Sequence, residues 1–244
     1  MSRVDDLLDA ALKSLPAKPG DHAGQAEKKR YSERVSEVVA QALADELRKR
    51  GLKGTRPAPP GVLDASGAER RMAGGLGAKK VDVTWATEEA GLLLAVSIKS
   101  INFKDSRTGN YQKNLTNRRG DMLMEAVTLH RRFPYAVLAG FFFFDKGAGQ
   151  DDTGRRRSTI ANAHSRFRLF TGRDDPAGRD EQFERFYLIL LDASPTGVTL
   201  RPYLVGAPDV ICTFDDMLTD LLTMVAERNP DFYEVVDGEL VRAT

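Results

Sequence analysis

The chain has 244 residues, of which 41% are hydrophobic, so one domain can bury a sizeable core. Its 36 Lys/Arg and 35 Asp/Glu residues give a formal net charge of +1, which argues against a nucleic-acid binder that uses its whole surface. One cysteine and three histidines exclude an internal disulfide and a Cys/His zinc cluster, so any metal would be held by oxygen ligands.

The N-terminal segment, "MSRVDDLLDAALKSLPAK", is acidic and amphipathic. It lacks the basic start and the continuous apolar core of a signal peptide. No later apolar run is long enough to span a bilayer. These features predict a cytoplasmic protein that is not associated with a membrane.

The first clear element is an amphipathic helix at 25–50, where apolar residues recur at helical spacing. The Pro/Gly-rich stretch "GTRPAPPG" ends it. We therefore expect an N-terminal helical region and linker at 1–60, followed by an α/β domain at 61–244. A short helix is expected over 64–72, because good N-cap residues begin it and "AGGLG" follows it.

The stretch Lys80–Ser100, "KVDVTWATEEAGLLLAVSIKS", predicts two strands joined by a hairpin-like turn at "ATEEAG". Two charges stand out in it. Asp82 lies within the first strand-like run and Lys99 ends the second, although a buried strand needs neither. The polar and basic residues that follow, 102–116, predict a loop.

The remaining elements alternate between helices and strands. A helix is expected from Thr116 or Asn117 to about Phe133, and the apolar run "YAVLAGFFFF" predicts a strand buried on both faces. There follow a mobile loop at 145–154, a basic helix near 155–169, strands at "RFYLILLDA" and "GVTLRPYLV", and an amphipathic helix at "FDDMLTDLLTMVAER". This order predicts an α/β fold with a mixed sheet flanked by helices and an N-terminal helical extension.

Basic side chains are concentrated in two segments. From Ile98 to Phe133, eight basic residues stand against three acidic ones, and from Lys146 to Arg173, seven stand against two. A charge run is ordinarily a solvated face, but both segments flank the charged strand pair, which favours phosphate contacts. The candidate nucleic-acid-binding residues are Lys113, Arg118, Arg119, Arg155, Arg156 and Arg157.

Asp82, followed 17 residues later by Lys99 in "SIK" and then by a helix and a strand, resembles the PD-(D/E)XK nuclease superfamily, the fold of many type II restriction enzymes. The resemblance covers roughly residues 64–144. It implies that Asp82 holds a divalent cation, Mg²⁺ or alternatively Mn²⁺, and that Lys99 positions the attacking water. It also implies a DNA endonuclease of restriction or phage defence.

Ser97 stands where the superfamily pattern has Glu or Asp, and a hydroxyl is a poor ligand for a hard cation. In some restriction enzymes of this fold the position is also serine, and an acid from the next helix takes its place. The resemblance therefore points to Asp121 or Glu125, which share a helix face. Glu125 is favoured, because an acid in the first helical turn is ordinary dipole complementation. Glu69 matches the position of a further superfamily acid, or is a solvated surface residue.

Three functions stay open from the sequence. The first is a Mg²⁺-dependent deoxyribonuclease that uses Asp82, Glu125 and Lys99, with Glu69 assisting. The second is a catalytically inactive nuclease-fold module that binds nucleic acid or a partner protein. The third is an unrelated α/β enzyme or scaffold. A homodimer and an activating partner protein are expected only by analogy, and His130 and His164 are interpreted as structural.

Overall fold

A computed structural model describes residues 2–62, 70–74, 77–194 and 196–243. Its helices are α1 (Arg3–Lys13), α2 (Gln25–Lys49), α3 (Leu115–His130), α4 (Thr159–Phe167) and α5 (Phe214–Arg228). Its strands are β1 (Arg70–Gly74), β2 (Gly77–Val81), β3 (Val83–Thr87), β4 (Gly91–Ile101), β5 (Val137–Asp145), β6 (Arg185–Ser194), β7 (Gly197–Leu204), β8 (Tyr233–Val236) and β9 (Glu239–Arg242). None of the helices in these ranges is both long enough and apolar enough to cross a membrane.

Five strands form one mixed sheet in the order β3-β4-β5-β6-β7. The three central strands run parallel, and each edge strand is antiparallel to its neighbour. The predicted α/β class and the mixed sheet flanked by helices are confirmed. β5 is the central strand and is buried along its whole length except at Asp145, as its continuous apolar run predicts.

The side chains of β5 alternate between two cores, one on each face of the sheet. Phe141 and Phe143 pack with α1, α2 and α5, whereas Phe142 and Phe144 pack with α3 and α4. The helix expected at 25–50 is α2. Both N-terminal helices therefore lie in the same apolar core as one face of the sheet.

Two antiparallel hairpins, β1–β2 and β8–β9, lie outside the main sheet, and the sequence patterns indicated neither. The first contradicts the helix expected over 64–72, because the chain is a strand from Arg70 onward; residues 64–69 lie outside the described ranges. Pairing with β2 satisfies the backbone of β1. Capping signals are local and carry no information about such a partner.

The start of α3 also differs from the expected one. The helix begins at Leu115, ahead of both candidate caps. Asn114 precedes it in a left-handed conformation, with φ at 67°, a conformation that asparagine adopts more readily than most residues. The turn into the helix therefore comes from the backbone of Asn114 and not from a capping hydroxyl.

The segment 145–154 is anchored, where a mobile loop was expected. It begins as a short 3₁₀ helix at Lys146–Gly149. The carboxylate of Asp151 then accepts hydrogen bonds from the backbone N–H of Tyr111 at 3.1 Å and of Thr159 at 2.6 Å. Asp151 thus joins the segment to the loop before α3 and to the start of α4.

A buried ion cluster joins the ends of several elements beside β6. Glu184 is fully buried and accepts hydrogen bonds from Arg173 Nη1 at 2.9 Å, Arg228 Nη1 at 2.7 Å and Leu138 N at 2.7 Å. His130, the last residue of α3, places its Nε2 3.3 Å from the same carboxylate. The cluster holds the C-terminal ends of α3 and α5 against the sheet.

Candidate active site

Asp82 lies at a bend between β2 and β3, just outside the strand in which it was expected. The pairing of β3 with β4 ends at Val83 and Val96. Asp82 Oδ2 accepts a hydrogen bond at 2.5 Å from the backbone N–H of Ile98, which lies two residues beyond Val96 in β4. The carboxylate thereby adds one hydrogen bond beyond the ladder and is held beside the end of β4.

Lys99 projects from β4 on the face against which α3 packs. Ala95 and Ile101 share that face and belong to the core beneath α3. Lys99 Nζ lies 3.7 Å from Asp82 Oδ2 and 3.9 Å from Glu125 Oε2. These distances are too long for hydrogen bonds, so the attraction is electrostatic. Three charged side chains that are distant in the chain thus converge at one point.

Glu125 reaches this point from the middle of α3, and its side chain is only 6% exposed. Met122 and Ala126 of the same helix are buried in the core beside it. The helix approaches the sheet closely because Gly140 of β5 has no Cβ. A Cβ there would lie 2.7 Å from the ring of Phe186 and 3.1 Å from Met122 Cε. Tight helix-on-sheet packing therefore places this carboxylate near the end of β4.

The other candidate residues are placed differently. Asp121, one turn earlier on α3, is exposed and is not an ion-pair partner of Lys99. Glu69 lies outside the described ranges. Ser97 is 1% exposed, and its Oγ has no hydrogen-bond partner among the residues that the structure describes. A buried hydroxyl in that state is destabilising unless something else binds it.

The donor set is chemically suited to a hard divalent cation. Mg²⁺ is usually bound through one or two carboxylates, with water and substrate phosphate supplying the remaining ligands. Asp82 and Glu125 supply two carboxylates around one ammonium group. Over the described ranges, no three His, Cys, Asp or Glu residues gather as a complete metal-binding group. An ion here would therefore depend on water and substrate for part of its coordination.

Asp82 and Lys99 line a cleft of about 660 Å³. One wall is the first half of α2, and the other is formed by the loop 102–114 and the start of α3. Basic side chains outnumber acidic ones along the cleft: Lys28, Lys29, Lys80, Lys99, Lys104, Lys113 and Arg118 against Glu33, Glu37, Asp82 and Asp105. The cleft therefore carries a net positive charge.

The contribution of α2 to this cleft was missed from the sequence. Lys28, Ser32 and Glu33, and one turn later Ser36 and Glu37, turn the polar face of the helix toward the cleft. The only sequence signal was a polar stripe opposite the apolar one. A solvated helix face has the same pattern, so the stripe could not identify a binding wall.

The loop 102–114 is held in place by carboxylates. Asp105 accepts a hydrogen bond from Lys113 Nζ at 2.6 Å, and this ammonium is the main reason why the pKa of Asp105 is lowered. Tyr111 Oη donates to Asp145 Oδ1 at 2.6 Å, and burial, together with the negative charge of Asp145, raises the pKa of Tyr111. Tyr111 therefore stays a neutral donor and fixes the end of the loop.

Two of the predicted nucleic-acid-binding residues, Lys113 and Arg118, line the cleft, although Lys113 is neutralised by its ion pair. Arg119 does not line it; its guanidinium lies 5.5 Å from the ring centroid of Phe170. Arg118 is thus the basic residue of this group best placed to contact a bound phosphate.

Residues 155–157 precede α4 and are not brought to the cleft. The guanidinium of Arg156 donates a hydrogen bond to the carbonyl oxygen of Asp151 and is thus part of the local structure. His130 belongs to the Glu184 cluster, and His164 is buried at the edge of the Tyr203 ring, where burial lowers its pKa. Neither histidine lines the cleft.

Comparison of the chain with protein-family models, with curated proteins and with solved structures finds no match. The features of the chain that bear on its function are the convergence of Asp82, Lys99 and Glu125 and the cleft beside them.

Proposed function

We propose that this chain is a metal-dependent endonuclease of the PD-(D/E)XK type that hydrolyses phosphodiester bonds of DNA. One observation carries the proposal: Lys99 Nζ lies within 4 Å of both Asp82 Oδ2 and Glu125 Oε2, on the wall of a positively charged cleft. One acid directly precedes β3 and the other lies in the middle of α3. Their convergence on a lysine beside a cleft favours a chemical role.

The roles follow from charge and position. A bound Mg²⁺ would neutralise charge on the phosphate and make water a better nucleophile. Asp82 and Glu125 would hold it. Lys99, at the carboxylates, would orient the attacking water through an N–H donor and stabilise the negative charge that develops on the phosphate oxygens. Arg118 would contact a neighbouring phosphate.

A second candidate is a nuclease-fold module that binds nucleic acid without cutting it. Ser97 favours this reading, because it puts a neutral side chain where the superfamily pattern has an acid. The ammonium of Lys99 already compensates both carboxylates electrostatically, so the cluster is stable as an ion triad without chemistry. Cleavage separates the two functions.

The test is incubation of the purified protein with plasmid, linear duplex and single-stranded DNA in Mg²⁺, Mn²⁺ or EDTA. We expect cleavage of at least one of these substrates with either cation and none with EDTA. The variant Lys99→Met removes the charge and keeps most of the length of the side chain, and it should lower the cleavage rate by about 100-fold or more. Lys53→Met, at an exposed lysine far from the cleft, is the matched control. Unchanged cleavage by Lys99→Met would contradict the role of Lys99.

We predict that an acid at position 97 can replace the acid at 125. Glu125→Ala should remove cleavage, and Ser97→Glu in the same chain should restore part of it, because the new carboxylate returns to the strand beside Asp82. Ser97→Gln in the Glu125→Ala background is the control, since it has the same size without the charge. Equal rates for the Glu and Gln versions would show that charge at this position is irrelevant.

A further inference from the structure

The cleft is long and narrow. The α2 residues that line it run from Gln25 to Ala40, in a stripe with helical spacing. From Gln25 to Ala40 the helix rises by about 22 Å. The centre of a water molecule can occupy about 660 Å³ of the cleft, which over that length is a mean cross-section of about 30 Å² and a width of about 6 Å. The radius of a water molecule on each side brings the distance between the walls to about 9 Å. A B-DNA duplex is wider than this channel, since its major groove alone is about 12 Å wide.

The two walls of the cleft are tied to each other. Asn102 Nδ2 donates a hydrogen bond to Ser32 Oγ at 3.1 Å, from the loop to α2. The ring of Phe103 meets Tyr31 edge-on at 5.8 Å and lies beneath Lys28 Nζ at 5.5 Å. Widening the cleft to the size of a duplex would break all of these contacts. The spacing of the walls is therefore a fixed property of the fold.

Both walls carry cations. Lys28 and Lys29 lie near the start of α2, ahead of Glu33 and Glu37, and Lys29 Nζ is 3.6 Å from Glu33 Oε1. Lys104 and Arg118 belong to the opposite side. Cations on two sides of a channel track a polyanionic backbone, as in the grooves that bind single strands. A duplex, which is wider than the channel, could rest on the mouth but could not enter between the walls.

We propose that the cleft binds one polynucleotide strand and that its substrate class is single-stranded nucleic acid, either free or exposed where a duplex is open. The binding site includes the α2 wall around Lys28 and Lys29. The binding claim stands on the shape and charge of the cleft alone. The claim that such strands are cut rests on the proposed nuclease function.

Binding is measured first, by fluorescence anisotropy in EDTA so that no strand is cut. The probes are an oligothymidine and an oligouridine of about 20 nucleotides and a blunt duplex of the same length. We expect a single strand to bind at least 10-fold more tightly than the duplex. The two single strands show whether DNA or RNA is preferred. Equal or tighter binding of the duplex, or no binding of any single strand, would overturn the proposal.

The α2 wall is tested with Lys28→Ala/Lys29→Ala. The double variant should weaken single-strand binding and lower the slope of log K against log salt by up to about 1.4, or 0.7 for each phosphate that a lysine no longer neutralises. Lys49→Ala/Lys53→Ala is the control, because it removes the same charge from exposed positions outside the cleft. Equal slopes for the two double variants would exclude α2 from the binding site.

Cleavage is then measured on a duplex with an internal mismatched bubble. Cuts confined to the bubble support the proposal, and cuts spread along the paired regions overturn it while leaving the nuclease function intact. Tight single-strand binding without any cutting gives the opposite result: the binding site stands and the nuclease function fails.

Discussion

Asp82→Asn and Glu125→Gln should each lower metal-dependent cleavage by at least about 10²–10³-fold, because each removes a full negative charge from the site that would hold the cation. Both changes keep the size of the side chain. Asp82→Asn also keeps an oxygen that can accept the Ile98 N–H, so loss of activity would not be a folding defect. The effect is measured as initial rates at several Mg²⁺ concentrations, on the DNA substrate that the unchanged protein cuts fastest.

Asp121→Asn is the control for this pair, since it removes the same charge from the same helix at an exposed position one turn away. We expect it to change the rate less than about threefold, as is usual for surface charges. Mn²⁺ binding, followed by calorimetry, should weaken with Asp82→Asn and Glu125→Gln and not with Asp121→Asn. The assignment of Glu125 is wrong if Asp121→Asn is the inactive variant.

Glu184→Ala should destabilise the protein by about 3–5 kcal/mol, the usual cost of removing one partner from a buried ion cluster. The change leaves Arg173 and Arg228 buried without their shared carboxylate, and Leu138 N loses its acceptor. Urea unfolding measures the difference. Glu227→Ala, at an exposed position of α5, should differ from the unchanged protein by less than about 0.5 kcal/mol. A similar midpoint for both variants would contradict a structural role for the cluster.

The Glu184 carboxylate should also make the stability of the protein depend on pH. Burial alone would raise the pKa of Glu184, but His130, Arg228 and the Leu138 N–H outweigh burial and lower it. A pKa lower in the folded state than in the unfolded chain, where it is about 4.3, gives stability that is present above that pH. This stability is lost as the pH falls through the folded-state pKa. Glu184→Gln should therefore reduce the loss of stability between neutral and acidic pH, and identical pH profiles would exclude Glu184 as a source of it.

The nearness of Asp82 and Lys99 could be predicted because it depends on local structure. A hairpin with one short turn brings the start of one strand next to the end of the other, and the length of the turn limits the register. Glu125 could be predicted in the same way, since its position along an amphipathic helix decides whether it faces the sheet. The hairpin turn and the helical spacing indicated where these residues lie, and the resemblance to the PD-(D/E)XK superfamily indicated which of them to consider.

The walls of the cleft could not be predicted from the same signals. Whether α2 turns its polar stripe to solvent or to the loop 102–114 depends on how the chain packs over long distances. The anchoring of Tyr111 by Asp145 and Asp151 also depends on packing over long distances in the chain. In the sequence, these residues look like ordinary members of polar loops. The hairpin β1–β2 was missed for a related reason, since its strands are stabilised by their partners.

The alternation of the β5 phenylalanines couples the two layers of the molecule during local unfolding. Phe141 and Phe143 serve the layer that contains α2, and Phe142 and Phe144 serve the layer that contains α3. Separation of either layer from the sheet would expose phenylalanine rings of β5. The same strand also packs against the other layer. The wall of the cleft and the helix that carries Glu125 therefore belong to one cooperative unit, in which local melting of either would propagate through the shared strand.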